Sequence, residues 1–145
     1  MDAKKYLIAT VTGLIVMFVL AYLGHTLLME AMFENSPMDA IAKDMPSIPG
    51  IAVAYLVLSL LMAYMYPKGV EGSSVMGNGL RFGLLVGLLF SVPISIIMYS
   101  TIEGGTVTMI VAEGVWHMIE QGAGGMAIAY VYGASGNTSS ASPGM

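Results

Sequence analysis

Three ionisable side chains in the segment EGVWHMIEQG have the spacing of one helical face. Glu113, His117 and Glu120 follow one another at intervals of four and three residues, and residues so spaced lie one above another on an α-helix. They interrupt an apolar run that extends from Thr106 to Tyr132. Ionisable groups are costly to place in lipid and therefore mark functional sites by default. This face is the first candidate site.

A second set of proton-binding and metal-binding residue types ends the first apolar run, in GHTLLMEAMFE. His25 is followed four residues later by Met29 and then by Glu30. Counted from the middle of each apolar run at ~1.5 Å per residue, His25 and Glu113 lie at a similar depth, roughly 10 Å from the centre. The sequence therefore predicts a contact between His25 and Glu113.

The two sets are compatible with a metal or haem site. Imidazole with thioether suits copper, and imidazole with carboxylate suits iron, zinc or manganese. Paired histidines could ligate haem, although the different depths of His25 and His117 make that geometry awkward. No established ligand-spacing motif is present in the sequence. The candidate ligands are His25, Met29, Glu30, Glu113, His117 and Glu120.

The same helical face could instead carry protons or ions. Glu120 falls close to the middle of its apolar run, at about the depth of Ser91. A carboxyl group in hydrocarbon favours its neutral form, which can release and recover a proton. In a third, structural interpretation, Glu120 and His117 only hydrogen-bond neighbouring helices, at ~0.6 kcal/mol per bond. The residues alone leave all three interpretations open.

Composition and motifs exclude several other chemistries. The 145 residues include no cysteine, which rules out disulfides, thiol nucleophiles and cysteine-bound metals. There is no P-loop, GxSxG or HExxH motif, so enzymatic hydrolysis and nucleotide chemistry are disfavoured. The net charge of -4 and five scattered basic residues offer no surface for nucleic acid. The fourteen methionines are interpreted as apolar filling rather than copper ligands.

Four apolar runs must position these residues. Hydrophobic residues make up 57% of the chain and charged residues only 10%, whereas soluble proteins contain about 25% charged residues. We therefore predict an all-α integral membrane protein with one domain, 1–133. Its transmembrane helices are predicted at 6–29, 50–66, 80–101 and 106–132, with an outer loop at 30–49 and a flexible cytoplasmic tail at 134–145.

The distribution of basic residues predicts the orientation. Four of the five flank the predicted spans on one side: Lys4, Lys5, Lys68 and Arg81. Only Lys43 lies on the other side. Because basic residues concentrate on the cytoplasmic side of membrane proteins, both termini are predicted to be cytoplasmic. The helices would then form an up-down-up-down bundle in the lipid bilayer.

Small residues recur at four-residue spacing in two of the predicted helices, where they permit close helix packing. They are Gly79, Gly83 and Gly87 in the third helix, and Gly125, Ala129 and Gly133 in the fourth. Such glycine zippers pack helices within one chain or between two copies, and packing within the chain is favoured here. Pro93 predicts a kink in the third helix, with Ser91 and Ser95 beside it to satisfy freed backbone groups.

The segments GLRFGLLVGLLFSVP and EGVWHMIEQGAGGMAIAYVYG resemble small four-helix bacterial inner-membrane proteins from families of uncharacterised function. The resemblance covers residues 5–133, implies the fold and a place in the bacterial cytoplasmic membrane, and assigns neither activity nor site. Two hypotheses stay open. The first is a non-enzymatic bundle, either freestanding, homo-oligomeric or an accessory subunit of a larger membrane complex. The second is a metal-, haem- or proton-handling protein that uses the His/Glu cluster.

Overall fold

The computed structural model describes residues 2–29, 43, 45–69 and 74–134. Within these ranges the chain forms four α-helices and no strand: α1 Ala3–Gly24, α2 Ile48–Met65, α3 Val75–Thr101 and α4 Val107–Ala134. A π-helical turn, His25–Met29, continues α1, and a 3-10 turn, Tyr66–Lys68, continues α2. The all-α prediction is confirmed. Most of the predicted outer loop, from Glu30, and the predicted tail after residue 134 lie outside the described residues.

Each helix begins at a polar side chain that accepts a backbone hydrogen bond from its first turn. The capping oxygens and their distances to the backbone nitrogen are those of Asp2 (2.9 Å), Ser47 (3.4 Å), Ser74 (3.2 Å) and Thr106 (3.2 Å). Such caps satisfy N–H groups that a helix leaves unpaired. Helix α3 therefore begins at Val75, earlier than the predicted residue 80, because its cap rather than the edge of the apolar run sets the boundary.

Three helical segments are long and apolar enough to cross a membrane: Ala3–Leu27, Ile48–Lys68 and Val75–Thr101. Their large apolar side chains point outward, and Leu89 reaches 76% exposure. Helix α4 has 28 residues, but its polar residues keep it out of this group. Three apolar helices are the mark of a helical membrane protein.

The interior of the helix assembly is unusually polar. Of the seven largest fully buried side chains, four are polar: Gln121, Glu120, Ser59 and Ser91. Soluble proteins rarely bury such groups while exposing long apolar faces. Both features are those expected of helices in hydrocarbon, where lipid accepts apolar faces and polar groups turn inward.

Helix α4 lies at the centre of the assembly. It packs along α3 and α1 and touches α2 more lightly, while α2 packs against α1. Gly13 of α1 faces Ile128, and Met17 faces Gly124, so α1 and α4 are antiparallel. We call the end with the start of α1, the 3-10 turn and the end of α4 the proximal end. The opposite end, with the π-helical turn and the α3–α4 connection, is the distal end.

Tyrosines join the helices at the proximal end. The Tyr132 hydroxyl donates to the Ala63 carbonyl oxygen at 2.8 Å, and the Tyr6 hydroxyl donates to the Leu60 carbonyl oxygen at 3.2 Å. The Tyr66 ring stacks on Tyr132 with centroids 5.8 Å apart. These contacts hold α1 and α4 against α2.

Helices α3 and α4 meet backbone to backbone. The α3 residues in this contact are Gly79, Gly83 and Gly87, and the α4 residues include Gly125 and Ala129, whereas Gly133 lies against the Val75 side chain. A Cβ atom on Gly87 would lie 2.6 Å from the His117 carbonyl oxygen, and one on Gly83 would meet the Gln121 carbonyl group. Only residues without a side chain permit this approach.

Helix α3 continues through Pro93. The Ser91 hydroxyl donates to the Gly87 carbonyl oxygen, four residues earlier, at 2.7 Å. This bond lies within one turn of α3, whereas the carbonyl oxygen that Pro93 deprives of a donor is that of Leu89, four residues before the proline. The kink at Pro93 stays a prediction.

Candidate functional site

Two consecutive polar side chains of α4 are completely buried. Glu120 and Gln121 are both 0% exposed. The Gln121 amide nitrogen donates to Glu120 Oε1 at 3.0 Å, and the Tyr55 side chain of α2 interacts with the same carboxyl group. We call Glu120, Gln121 and Tyr55 the buried polar centre. It joins the central helix to α2.

The buried polar centre has unused hydrogen-bonding capacity. Glu120 Oε2 and Gln121 Oε1 are buried and have no hydrogen-bond partner within the described residues. Leaving a buried polar atom unpaired costs ~1–3 kcal/mol. Both atoms are oxygens, which are the acceptors needed to hold a proton or a small hydrogen-bond donor.

A second polar group lies toward the distal end on the same face of α4. His117 Nδ1 lies 3.3 Å from Glu113 Oε2 and 2.9 Å from the Glu113 carbonyl oxygen. The two side chains are 13% and 25% exposed, respectively. A carbonyl oxygen only accepts hydrogen bonds, so Nδ1 carries the hydrogen in the neutral ring and Nε2 is the acceptor nitrogen.

The predicted contact between His25 and Glu113 is not among the hydrogen bonds and ion pairs of the described residues. The exposed His25 ring lies instead beside His117, with centroids 6.4 Å apart and planes at 78°. Gly24 faces the Trp116 ring, and this contact sets the register of α1 on α4. In these antiparallel helices the register places His25 level with Val115, between Glu113 and His117, and its ring extends to His117.

The candidate metal ligands are not gathered into one coordination sphere. Within residues 2–29, 43, 45–69 and 74–134, no three His, Asp or Glu side chains are close enough to hold a metal ion. Glu120 faces Tyr55, while Glu113 and His117 interact with each other. Glu30 lies outside the described residues. Of Met29 only the backbone is described, as the last residue of the π-helical turn.

Polar groups continue from the buried polar centre toward the proximal end. Ser59 lies one turn after Tyr55 on α2, and its hydroxyl donates to the Thr10 carbonyl oxygen at 2.7 Å. Ser59 and Thr10 are 0% and 2% exposed. The Thr10 hydroxyl is another buried group for which the described residues offer no partner. Hydroxyl groups thus extend the polar interior along the α1–α2 contact.

Sequence reasoning missed Gln121 and Tyr55 as members of the site. Gln121 lies four residues after His117, so the spacing that linked His117 to Glu113 could also have found it. Tyr55 carries no such signal, because a tyrosine inside an apolar helix is equally compatible with packing.

A cavity of about 190 Å³ lies between the distal halves of α3 and α4. Ile94 and Met98 line it from α3, and Met109 and Ile110 line it from α4. Glu113 also lines this cavity. The distal end of the polar face therefore borders an apolar space.

Comparison of the chain with protein-family models, with curated proteins and with solved structures finds no match in any of the three. Function must therefore be inferred from the chemistry of the site, since a fold alone does not determine activity. The central helix carries that chemistry.

Proposed function

We propose that all four helices cross a bacterial cytoplasmic membrane as an up-down-up-down bundle with both termini in the cytoplasm. Lys4, Lys68 and Arg81 support this orientation, since all three lie at the proximal end and basic residues favour the cytoplasmic side. Helix α4 can cross the membrane with the others despite its polar residues, because α1, α2 and α3 pack around it. The proximal end is then cytoplasmic.

Single cysteines test this orientation, because the chain has none of its own. Lys68→Cys and Glu103→Cys place thiols at the proximal and distal ends. In intact cells with a permeable outer envelope, a membrane-impermeant maleimide should label Glu103→Cys and spare Lys68→Cys until the cells are broken. Equal labelling of both variants from outside would contradict the proposed topology.

Within this bundle we propose a non-enzymatic role, the transfer of protons along α4. The observation that carries the proposal is the Glu120 carboxyl group, which is 0% exposed and has one oxygen without a partner in the described chain. Glu113, His117 and Glu120 form a line of proton-binding groups over seven residues, or ~10 Å along the helix. An intramembrane line of acidic and histidine groups is typical of proton relays.

The geometry of His117 suits a relay. Its Nδ1 is held by the Glu113 carbonyl oxygen at 2.9 Å, which leaves Nε2 to receive a proton. Glu120 is three residues further on the same face, where Cβ atoms are ~5–6 Å apart. A proton taken up by Nε2 can pass to Glu120 directly or through one water molecule, and Tyr55 and Ser59 continue the line of hydroxyl groups toward the proximal end.

The decisive experiment measures proton flux into liposomes with an internal pH-sensitive dye and an imposed membrane potential. Glu120→Gln keeps the size of the side chain and one oxygen that can accept from Gln121, but it cannot take up a proton, so flux should fall to that of protein-free liposomes. Glu103→Gln is the matched control, because Glu103 is an exposed acid in the α3–α4 connection, and it should conduct like the wild type. Full flux in Glu120→Gln would overturn the proposal.

The second candidate is a purely structural bundle, freestanding or part of a larger membrane complex. The interaction of Glu120 with Tyr55 favours it, because it joins α4 to α2 without any transport. The bond from Gln121 to Glu120 lies within α4 and holds the carboxyl group in place. In that case wild-type liposomes would show no more flux than empty ones. Native mass spectrometry of the gently solubilised protein would then reveal whether it is a monomer, a homo-oligomer or a subunit.

A further inference from the structure

We propose that the cavity between α3 and α4 binds a small organic cation with an apolar body. The cavity has a volume of about 190 Å³, and an apolar cavity of about 150 Å³ suffices to hold a benzene molecule. Ile94, Met98, Met109 and Ile110 provide apolar walls. This site is separate from the buried polar centre and requires no proton movement to be occupied.

The charge of the occupant follows from Glu113. Among the described residues that line the cavity it is the only acidic one, and none of them is lysine, arginine or histidine. Its contact with His117 Nδ1 at 3.3 Å does not neutralise the carboxylate when the imidazole is neutral. A negative charge beside apolar walls favours a positively charged partner, because like charges and unpaired charges are disfavoured there.

Tyr99 adds a second recognition element. Tyr99 lines the same cavity, and its ring lies next to Gly105. Aromatic faces attract ammonium groups, and the attraction increases as the site is shielded from water. A carboxylate and an aromatic ring at one apolar cavity are the combination that quaternary and tertiary ammonium groups bind.

A metal ion fits this cavity less well than an organic cation. Hard cations require several oxygen ligands, and the described residues contain no group of three acidic or histidine ligands. A lipid acyl chain would satisfy the apolar walls but bring no positive charge to Glu113, whose contact in the structure is His117. The organic cation satisfies both the walls and the charge.

The first test measures binding of benzyltrimethylammonium to the full chain in lipid nanodiscs by equilibrium dialysis. Glu113→Gln should raise the dissociation constant about tenfold or more, as expected when one member of a shielded charge pair is lost. Glu103→Gln removes the same charge at the same end but lies outside the lining, and it should bind like the wild type. Equal affinity in the wild type and Glu113→Gln would overturn the proposal.

A second test avoids any dependence on how well Glu113→Gln folds. Met109→Cys places a thiol in the cavity lining, whereas Val107→Cys places one on the 63% exposed Val107 position outside it. Benzyltrimethylammonium should slow maleimide labelling of Met109→Cys and leave Val107→Cys unaffected. Equal protection of Met109→Cys by neopentylbenzene, the uncharged counterpart, would identify a merely apolar groove and refute the proposal.

Binding and proton transfer can fail separately in these experiments. Glu120→Gln lies outside the cavity lining and should bind benzyltrimethylammonium with wild-type affinity while losing proton flux. Absence of flux in the wild type would reject the relay and leave the cation site standing. Absence of charge-dependent protection at Met109 would reject the cation site and leave the relay standing.

Discussion

Gly87→Ala is expected to force α3 and α4 apart. A Cβ atom on Gly87 would lie 2.6 Å from the His117 carbonyl oxygen, 2.7 Å from Met118 Cα and 2.9 Å from the His117 carbonyl carbon. Unstrained contacts between carbon atoms are ~3.5 Å or longer, so the helices must separate by about 1 Å. All three obstructing atoms belong to the α4 backbone, and a change of side-chain rotamer cannot relieve the contact.

Two opposing contributions determine the size of the effect. Alanine is more favourable than glycine inside a helix by ~1 kcal/mol, whereas overpacking costs ~1–3 kcal/mol. Because the obstructing atoms belong to the backbone, the overpacking cost of Gly87→Ala should lie near the upper end of its range, at about 3 kcal/mol. We expect the free energy of unfolding to fall by about 2 kcal/mol, or roughly thirtyfold in the ratio of folded to unfolded protein.

Gly114→Ala is the matched control in the same pair of helices. A Cβ atom on Gly114 would meet only the Val92 Cγ2 methyl group, at 3.3 Å. A methyl group can move by a few tenths of an ångström, so the gain in helix propensity should prevail. The free energy of unfolding should stay unchanged or rise by up to ~1 kcal/mol.

The assay is unfolding by sodium dodecyl sulfate in mixed micelles, followed by circular dichroism and by fluorescence of Trp116, the single tryptophan. The wild type, Gly87→Ala and Gly114→Ala are compared at equal detergent composition. Opposite shifts of the two variants are expected. If Gly87→Ala were as stable as the wild type, or if both variants shifted alike, the close backbone contact of α3 with α4 would be refuted.

Two further changes test contacts of α1. Ser59 donates across to Thr10 at 2.7 Å, so Ser59→Ala should lower the free energy of unfolding by ~0.6 kcal/mol. Ser91→Ala removes a hydrogen bond of 2.7 Å within its own helix and should not measurably change the free energy of unfolding. Equal losses of stability in Ser59→Ala and Ser91→Ala would contradict the role of Ser59 in joining α2 to α1. Gly24 faces the Trp116 ring, so Gly24→Ala should displace the indole and cost ~1 kcal/mol; an unchanged emission spectrum and stability would disprove that contact.

Run length alone was sufficient to predict the helices, because every apolar run longer than about seventeen residues must satisfy its backbone internally in hydrocarbon. The first residue of a helix depended on its capping side chain rather than on the length of the apolar run. Ser74 begins α3 by accepting a backbone hydrogen bond, yet the residues after it include polar Asn78, which conceals the start of the helix. Capping residues would have located that start more closely than hydropathy.

Contacts between helices were harder to predict than the helices themselves. Counting residues gives depth only to within about one turn, and it placed His25 opposite Glu113. The position of His25 along α4 depends on the contact of Gly24 with the Trp116 ring. Neither sequence segment reveals that contact alone, because it depends on how the two helix surfaces fit together. The pairing of Tyr55 with Glu120 was unpredictable for the same reason, because it requires the rotation of both helices about their axes.

The dependence of α4 on α3 has a consequence for biosynthesis. Helix α4 falls short of the apolarity of the other three helices, and only a short connection separates it from α3. In the proposed four-helix topology, nascent α4 is therefore expected to leave the translocon paired with α3 as a helical hairpin rather than alone. A bulky residue in the glycine contact would first appear as failed membrane integration and degradation of the newly made chain, before any property of the mature protein could be measured.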